Sequence, residues 1–211
     1  AGTLRASVGS FFGEKEIRSR KIFIFLLMLT VATAFGFQAW RTIYNNFAVE
    51  VVGLNGLQNG AVQSLREVPG FLALLVIYIL LIIKEHRMAA LSVAVMGVGI
   101  SLTGMIPTFY GLLASTLLMS FGFHYFETLN QSLTLQHFDI KTAPLVFGRL
   151  RSLASASNLV VGGLVFVLVG VLSYKNILLM FGLTVVVVAL IGLFMDPSDP
   201  HLPLQKKGMV L

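Results

Sequence analysis

Ser120, His124, Glu127, Gln131 and Thr134 recur at steps of three and four residues inside a long apolar stretch. On an α-helix those steps put all five on one face. A soluble helix shows its apolar residues at this spacing, so the usual pattern is inverted. A glutamate near the middle of a membrane helix costs roughly 2.5–3.5 kcal/mol on insertion scales, and is tolerated where it faces a partner or water. Two kinds of chemistry fit: His124 and Glu127 couple a proton or touch a solute, or Glu127 forms a structural ion pair with Arg41 or Arg66.

The remaining buried-type polar residues lie on other apolar stretches. Gln38, Arg41 and Asn45 continue a face that carries Thr30 and Ala34, while Gln63, Arg66 and Glu67 precede Pro69-Gly70. A guanidinium binds carboxylate or phosphate through two parallel hydrogen bonds, which points to an anionic solute. The competing reading pairs the arginines with Glu67 and Glu127, since an unpaired buried charge is costly. Arg66 and Glu67 are adjacent and do not face each other on a helix, so each is expected to find its partner on another helix. The four charges form a neutral set, and at least one interhelical Arg–carboxylate pair is expected, from Glu127 to Arg41 or Arg66. Asn158, with Ala154 and Gly162 at i−4 and i+4, reads as a packing and hydrogen-bonding face. The candidate solute or proton pathway is thus Gln38, Arg41, Arg66, Glu67, His124, Glu127, Gln131 and Asn158.

Composition indicates what holds these residues. The 211-residue chain is 56% hydrophobic and 11% charged, with mean hydropathy +0.88. Soluble domains carry about 25% charged residues, so a membrane protein is expected. With no cysteine, disulfides, thiolate metal sites and iron–sulfur clusters are excluded. The net charge of +6 sits in short loops rather than in a basic patch, which argues against a nucleic-acid partner. No H-E-x-x-H, G-x-S-G or potassium-filter sequence occurs, and of the histidines only His124 lies well inside a span. Nothing here implies an enzyme, a cofactor or a metal.

The expected architecture is all-α and polytopic. A basic arm over 1–21, with Phe11 and Phe12, reads as an interfacial helix. A bundle over 22–195 follows, with six spans at about 22–45, 59–83, 88–106, 108–136, 149–172 and 177–195. The tail 196–211, with Lys206-Lys207, reads as a linker, and both ends look cut rather than natural. Pro69 should kink the second span. Gly97, Ser101 and Gly104 offer a small-residue face for close helix contact. Trp40 is expected to anchor at the membrane–water interface. Spans three and six, which carry no charge, are expected at the periphery, facing lipid. Twelve of the fifteen Lys and Arg lie in the arm, the 84–87 turn, the 137–151 region and the tail, whereas the opposite loops hold only Lys175. Both termini should therefore be cytoplasmic.

Polarity falls in the same order through spans one to three and four to six, as an inverted three-helix repeat would produce. The stretches Asn46-Phe-Ala-Val-Glu-Val-Val-Gly-Leu54, Ser64-Leu-Arg-Glu-Val-Pro-Gly-Phe-Leu72 and Gly148-Arg-Leu-Arg-Ser152 resemble the amino-terminal half of a bacterial major facilitator superfamily transporter. The likeness covers nearly the whole chain. It implies an inner-membrane secondary transporter working by alternating access, as symporter or antiporter, with helices one, two, four and five around the cavity. It also implies a second six-helix half. Two departures stand out. Ile83-Lys84-Glu85-His86-Arg87 replaces the family's G-x-L-A-D-R-x-G-R-R loop, and Gly162-Gly163 lacks the proline of the drug-antiporter motif. The rival reading is a non-transporting six-helix scaffold, a subunit of a larger membrane complex.

Overall fold

A computed structural model describes residues 20–197, all of whose regular elements are helical. Most of the amino arm, including Phe11 and Phe12, and most of the tail lie outside the described residues. The helices are α1 (Arg20–Asn46), α2 (Gly56–Arg66), α3 (Val68–Phe71), α4 (Val76–Ile79), α5 (Glu85–Met105), α6 (Phe109–His137), α7 (Ala143–Leu168) and α8 (Tyr174–Phe194). A π-helical turn, Phe47–Val51, lengthens α1, and a 3₁₀ turn, Leu72–Leu75, joins α3 to α4. Five stretches are long and apolar enough to cross a membrane: Arg20–Val51, Gly56–Ile79, Glu85–Met105, Ala143–Leu168 and Tyr174–Phe194. The 29 residues of α6 would extend roughly 43 Å at 1.5 Å each, and this helix carries the polar stripe.

Local signals set the helix starts. Asn55 accepts from the Gln58 amide and Gln58 returns a bond to the Asn55 amide, a capping box that opens α2. Thr108 and Ser173 cap α6 and α8 through bonds from Gly111 and Asn176. Pro144 lies in the first turn of α7, where a missing N–H is harmless. The fifth span therefore begins at Ala143, six residues before the expected 149. The expected loop over 46–58 shrinks because helix continues to Val51.

The packing overturns the expectation that span three is peripheral, whereas span six (α8) keeps an exposed face with Leu183, Val187, Leu190, Ile191 and Phe194. In α5, 67% of the apolar window is buried, against 17% for Gly56–Ile79 and 17% for α7. Uncharged beyond its first turn, α5 is the centre of the bundle, in contact with α6, α8 and α1. Its lack of charge reflects enclosure, which forbids unpaired polar groups as strictly as lipid does. Glycine allows the approach. A Cβ added at Gly97 would lie 2.8 Å from Gly182 O of α8, and one at Gly104 would lie 3.0 Å from Lys175 Cα. A second seam sets Gly99 against Met119 and Gly122 against Met96 and Ser92, joining α5 to α6. The small-residue face of Gly97, Ser101 and Gly104 is thus used as expected. The face of Ala154, Asn158 and Gly162 is not: a Cβ at Gly162 would meet nothing within 4 Å. Instead α7 buries Val146, Leu150, Val161 and Val165, and its main neighbour is α1.

Candidate functional site

The second span breaks where its polar residues lie. Pro69 has no N–H and its ring crowds the carbonyl four residues earlier, so α2 stops at Arg66 and α3 restarts at Val68. The Gly70 amide bonds to Glu67 O at 3.0 Å. In a continuous helix it would have bonded to Arg66 O, which is therefore left over. The Ser120 hydroxyl of α6 donates to that carbonyl. Further along, the 3₁₀ turn begins at Leu72, and the Tyr125 hydroxyl donates to Leu72 O at 3.4 Å. Between these two contacts the His124 ring lies on the Gly70 backbone, where an added Cβ would come within 3.2 Å of its Cε1. Proline in a membrane helix is tolerated when neighbours re-satisfy the freed backbone groups, and here α6 does so.

The break also changes how Arg66 and Glu67 meet. With no continuous helix between them, these neighbours fold onto each other: Arg66 Nη2 and Nε donate to Glu67 Oε1 at 2.6 and 3.0 Å. The expectation that each pairs with another helix is corrected. The other carboxylate oxygen of Glu67 lies 3.8 Å from His124 Nε2, which links the break to α6. The Arg66 guanidinium stands 5.9 Å above the Trp40 ring, a cation–π distance. Trp40 itself is 1% exposed, and its Nε1 donates to Thr103 Oγ1 at 3.3 Å. It is a core residue beneath the arginine, not an interface anchor. Phe37, stacked on Phe123 at 4.6 Å, adjoins it.

Glu127 is half-buried and Arg41 exposed, and neither forms an ion pair or hydrogen bond among the described residues. The expected pair from Glu127 to Arg41 or Arg66 is therefore absent. Arg66 is engaged by its neighbour, and Arg41 lies at a different depth from Glu127. Gln38 is tied to the next turn of α1 through Thr42, at 3.3 Å. Gln131 is exposed, and Asn158 is half-buried on α7. The structure thus brings Arg66, Glu67 and His124 together, joined by Ser120 from the stripe. Thr134 bonds back to Asn130 O at 2.7 Å, within α6.

Two contacts outside the expected set align α1 with α6. Asn130 Nδ2 donates to Thr30 Oγ1 at 3.4 Å, and the stacked Phe37 and Phe123 lie seven residues away on each helix. Asn130 sits one position off the stripe, and no spacing in the sequence marks it. Near the far end of α1, Asn59 of α2 donates to Asn45 at 3.3 Å. Polar residues of α1, α2 and α6 thus meet at separate contacts along these helices, and no candidate metal cluster occurs among the described residues. No family model matches this sequence, and no curated protein matches it.

Proposed function

We propose that this chain is the amino-terminal six-helix half of a secondary transporter of the major facilitator type, moving a small solute by alternating access. The observation that carries the reading is the Arg66–Glu67–His124 cluster, built at a helix break where the second span packs on α6. Intramembrane ionisable groups on a discontinuous helix mark solute and ion pathways in transporters. The packing supports the inverted repeat. Exchanging spans one, two and three with four, five and six turns the α1–α7 contact into the contact of α6 with α2 and α3. It likewise turns α1–α8 into α6–α5. The exposed faces of the second span and of α7 fit a second six-helix half. The protein lies in the inner membrane with both termini cytoplasmic, and protons are the natural coupling ion for His124 and Glu127.

Uptake into inner-membrane vesicles that contain the full-length gene product tests the reading. Accumulation that collapses when the proton gradient is dissipated supports it. A reading frame that stops at Leu211, in vesicles that take up no solute, favours the scaffold instead. Cysteine labelling at Lys84 and Lys175 should report opposite sides of the membrane, and labelling from one side overturns the topology.

A further inference from the structure

Among the charges on α1, the second span and α6, Arg66 and Glu67 neutralise each other, which leaves Arg41 and Glu127 as one cation and one anion without partners among the described residues. We infer that these two residues are the poles of a binding site for a small zwitterion, with its anionic group on Arg41 and its cationic group on Glu127. The inference rests on the transport reading and narrows its small solute to a bipolar one.

The register of α1 on α6 carries the argument. Thr30 meets Asn130 and Phe37 meets Phe123, so the two helices run antiparallel and residue 41 lies opposite residue 119. Glu127 is eight residues farther along α6, an offset of about 12 Å at 1.5 Å per residue. Both residues lie on the faces by which the two helices meet. At 100° per residue, Arg41 lies within about 40° of Thr30 and Phe37, which touch α6, and Glu127 lies about 40° from Phe123 and 20° from Ser120. Helical side chains lean toward their own amino terminus. In an antiparallel pair Arg41 and Glu127 therefore lean toward each other, and the gap between their charged ends falls below that offset.

A bipolar ligand fits such a gap. Two charge-assisted hydrogen bonds of roughly 2.8 Å each, plus the two bonds of about 1.5 Å that separate the charged groups of an α-amino acid, span about 8–9 Å. A simple carboxylate would leave Glu127 unpaired, and an amine would leave Arg41 unpaired, whereas a zwitterion pairs both. Gln38 and His124 lie at depths between the two poles and offer neutral hydrogen-bonding groups there.

Uptake of neutral α-amino acids, matched carboxylates such as propionate and matched amines such as ethylamine should be compared in vesicles containing the full-length protein. The expected result is saturable uptake of one or more amino acids, with the carboxylates and amines transported at least ten-fold less. Arg41→Gln and Glu127→Gln should each lower apparent affinity at least ten-fold, and Arg41→Lys and Glu127→Asp should retain part of it. The conservative variants guard against loss through misfolding. Uptake of propionate that is unaffected by Glu127→Gln would overturn the zwitterion while leaving transport intact. Absence of uptake for every solute class would overturn the transport reading and the site with it.

Discussion

Replacing Ser120 with alanine removes the hydroxyl that caps Arg66 O at the break. Ser120 is 1% exposed, so water does not take the hydroxyl's place. An unsatisfied buried acceptor costs about 1–3 kcal/mol, whereas side-chain hydrogen bonds between membrane helices average about 0.6 kcal/mol. Alanine returns up to about 0.5 kcal/mol of helix propensity. The net expectation is a loss of about 1 kcal/mol, roughly five-fold in the folding equilibrium. The mechanism makes a sharper claim about coupling. Pro69→Ala restores an N–H and lets Gly70 bond to Arg66 O, so Ser120→Ala should cost almost nothing in that background. Reversible unfolding in mixed micelles, run as a double-mutant cycle, measures this coupling. If Ser120→Ala costs the same with and without Pro69, the hydroxyl does not serve the break and the argument fails.

Gly182→Ala would place a methyl 2.6 Å from Gly97 O and 2.7 Å from the Ser101 amide nitrogen. Unfolding should show a loss of about 1–3 kcal/mol, as overpacking does, while Gly163→Ala, with open space at its Cβ, should change little. Trp40 is the only tryptophan, so iodide should fail to quench the protein's fluorescence, and Arg66→Gln should shift its emission by removing the cation above the ring. Asp139, in the loop between α6 and α7, is held below the ordinary carboxylate range, first by the Thr142 hydroxyl and then by the Thr142 amide. A lowered pKa in the folded state means that these bonds persist above about pH 4 and are lost only as pH falls further. Amide exchange at Lys141 and Thr142 should follow that course, and a transition near pH 6 would contradict it.

Much of the fold was legible from period and punctuation. The stripe on α6, the break at Pro69 and the seam of Gly97, Ser101 and Gly104 all follow from residue spacing and backbone chemistry. Burial was less legible, because an uncharged helix suits both lipid and a packed centre, and α5 took the second option. The site was half legible. The sequence places Arg66, Glu67 and His124 in the interior, but its rule against adjacent pairing assumes a continuous helix, and Pro69 removes that condition. The register of α1 on α6 was not legible. It depends on the contact of Thr30 with Asn130, and neither residue is distinctive by itself.

The glycine seams of α5 also decide which parts of the protein can move. Where backbone touches backbone, a helix cannot turn about its own axis without driving a side chain into its neighbour. Interlocked with α6 on one side and α8 on the other, α5 makes these three helices a stiff chassis. The second span and α7 are held against it by far fewer buried residues. Substitutions should accordingly be tolerated barely at all at the few glycines of the chassis.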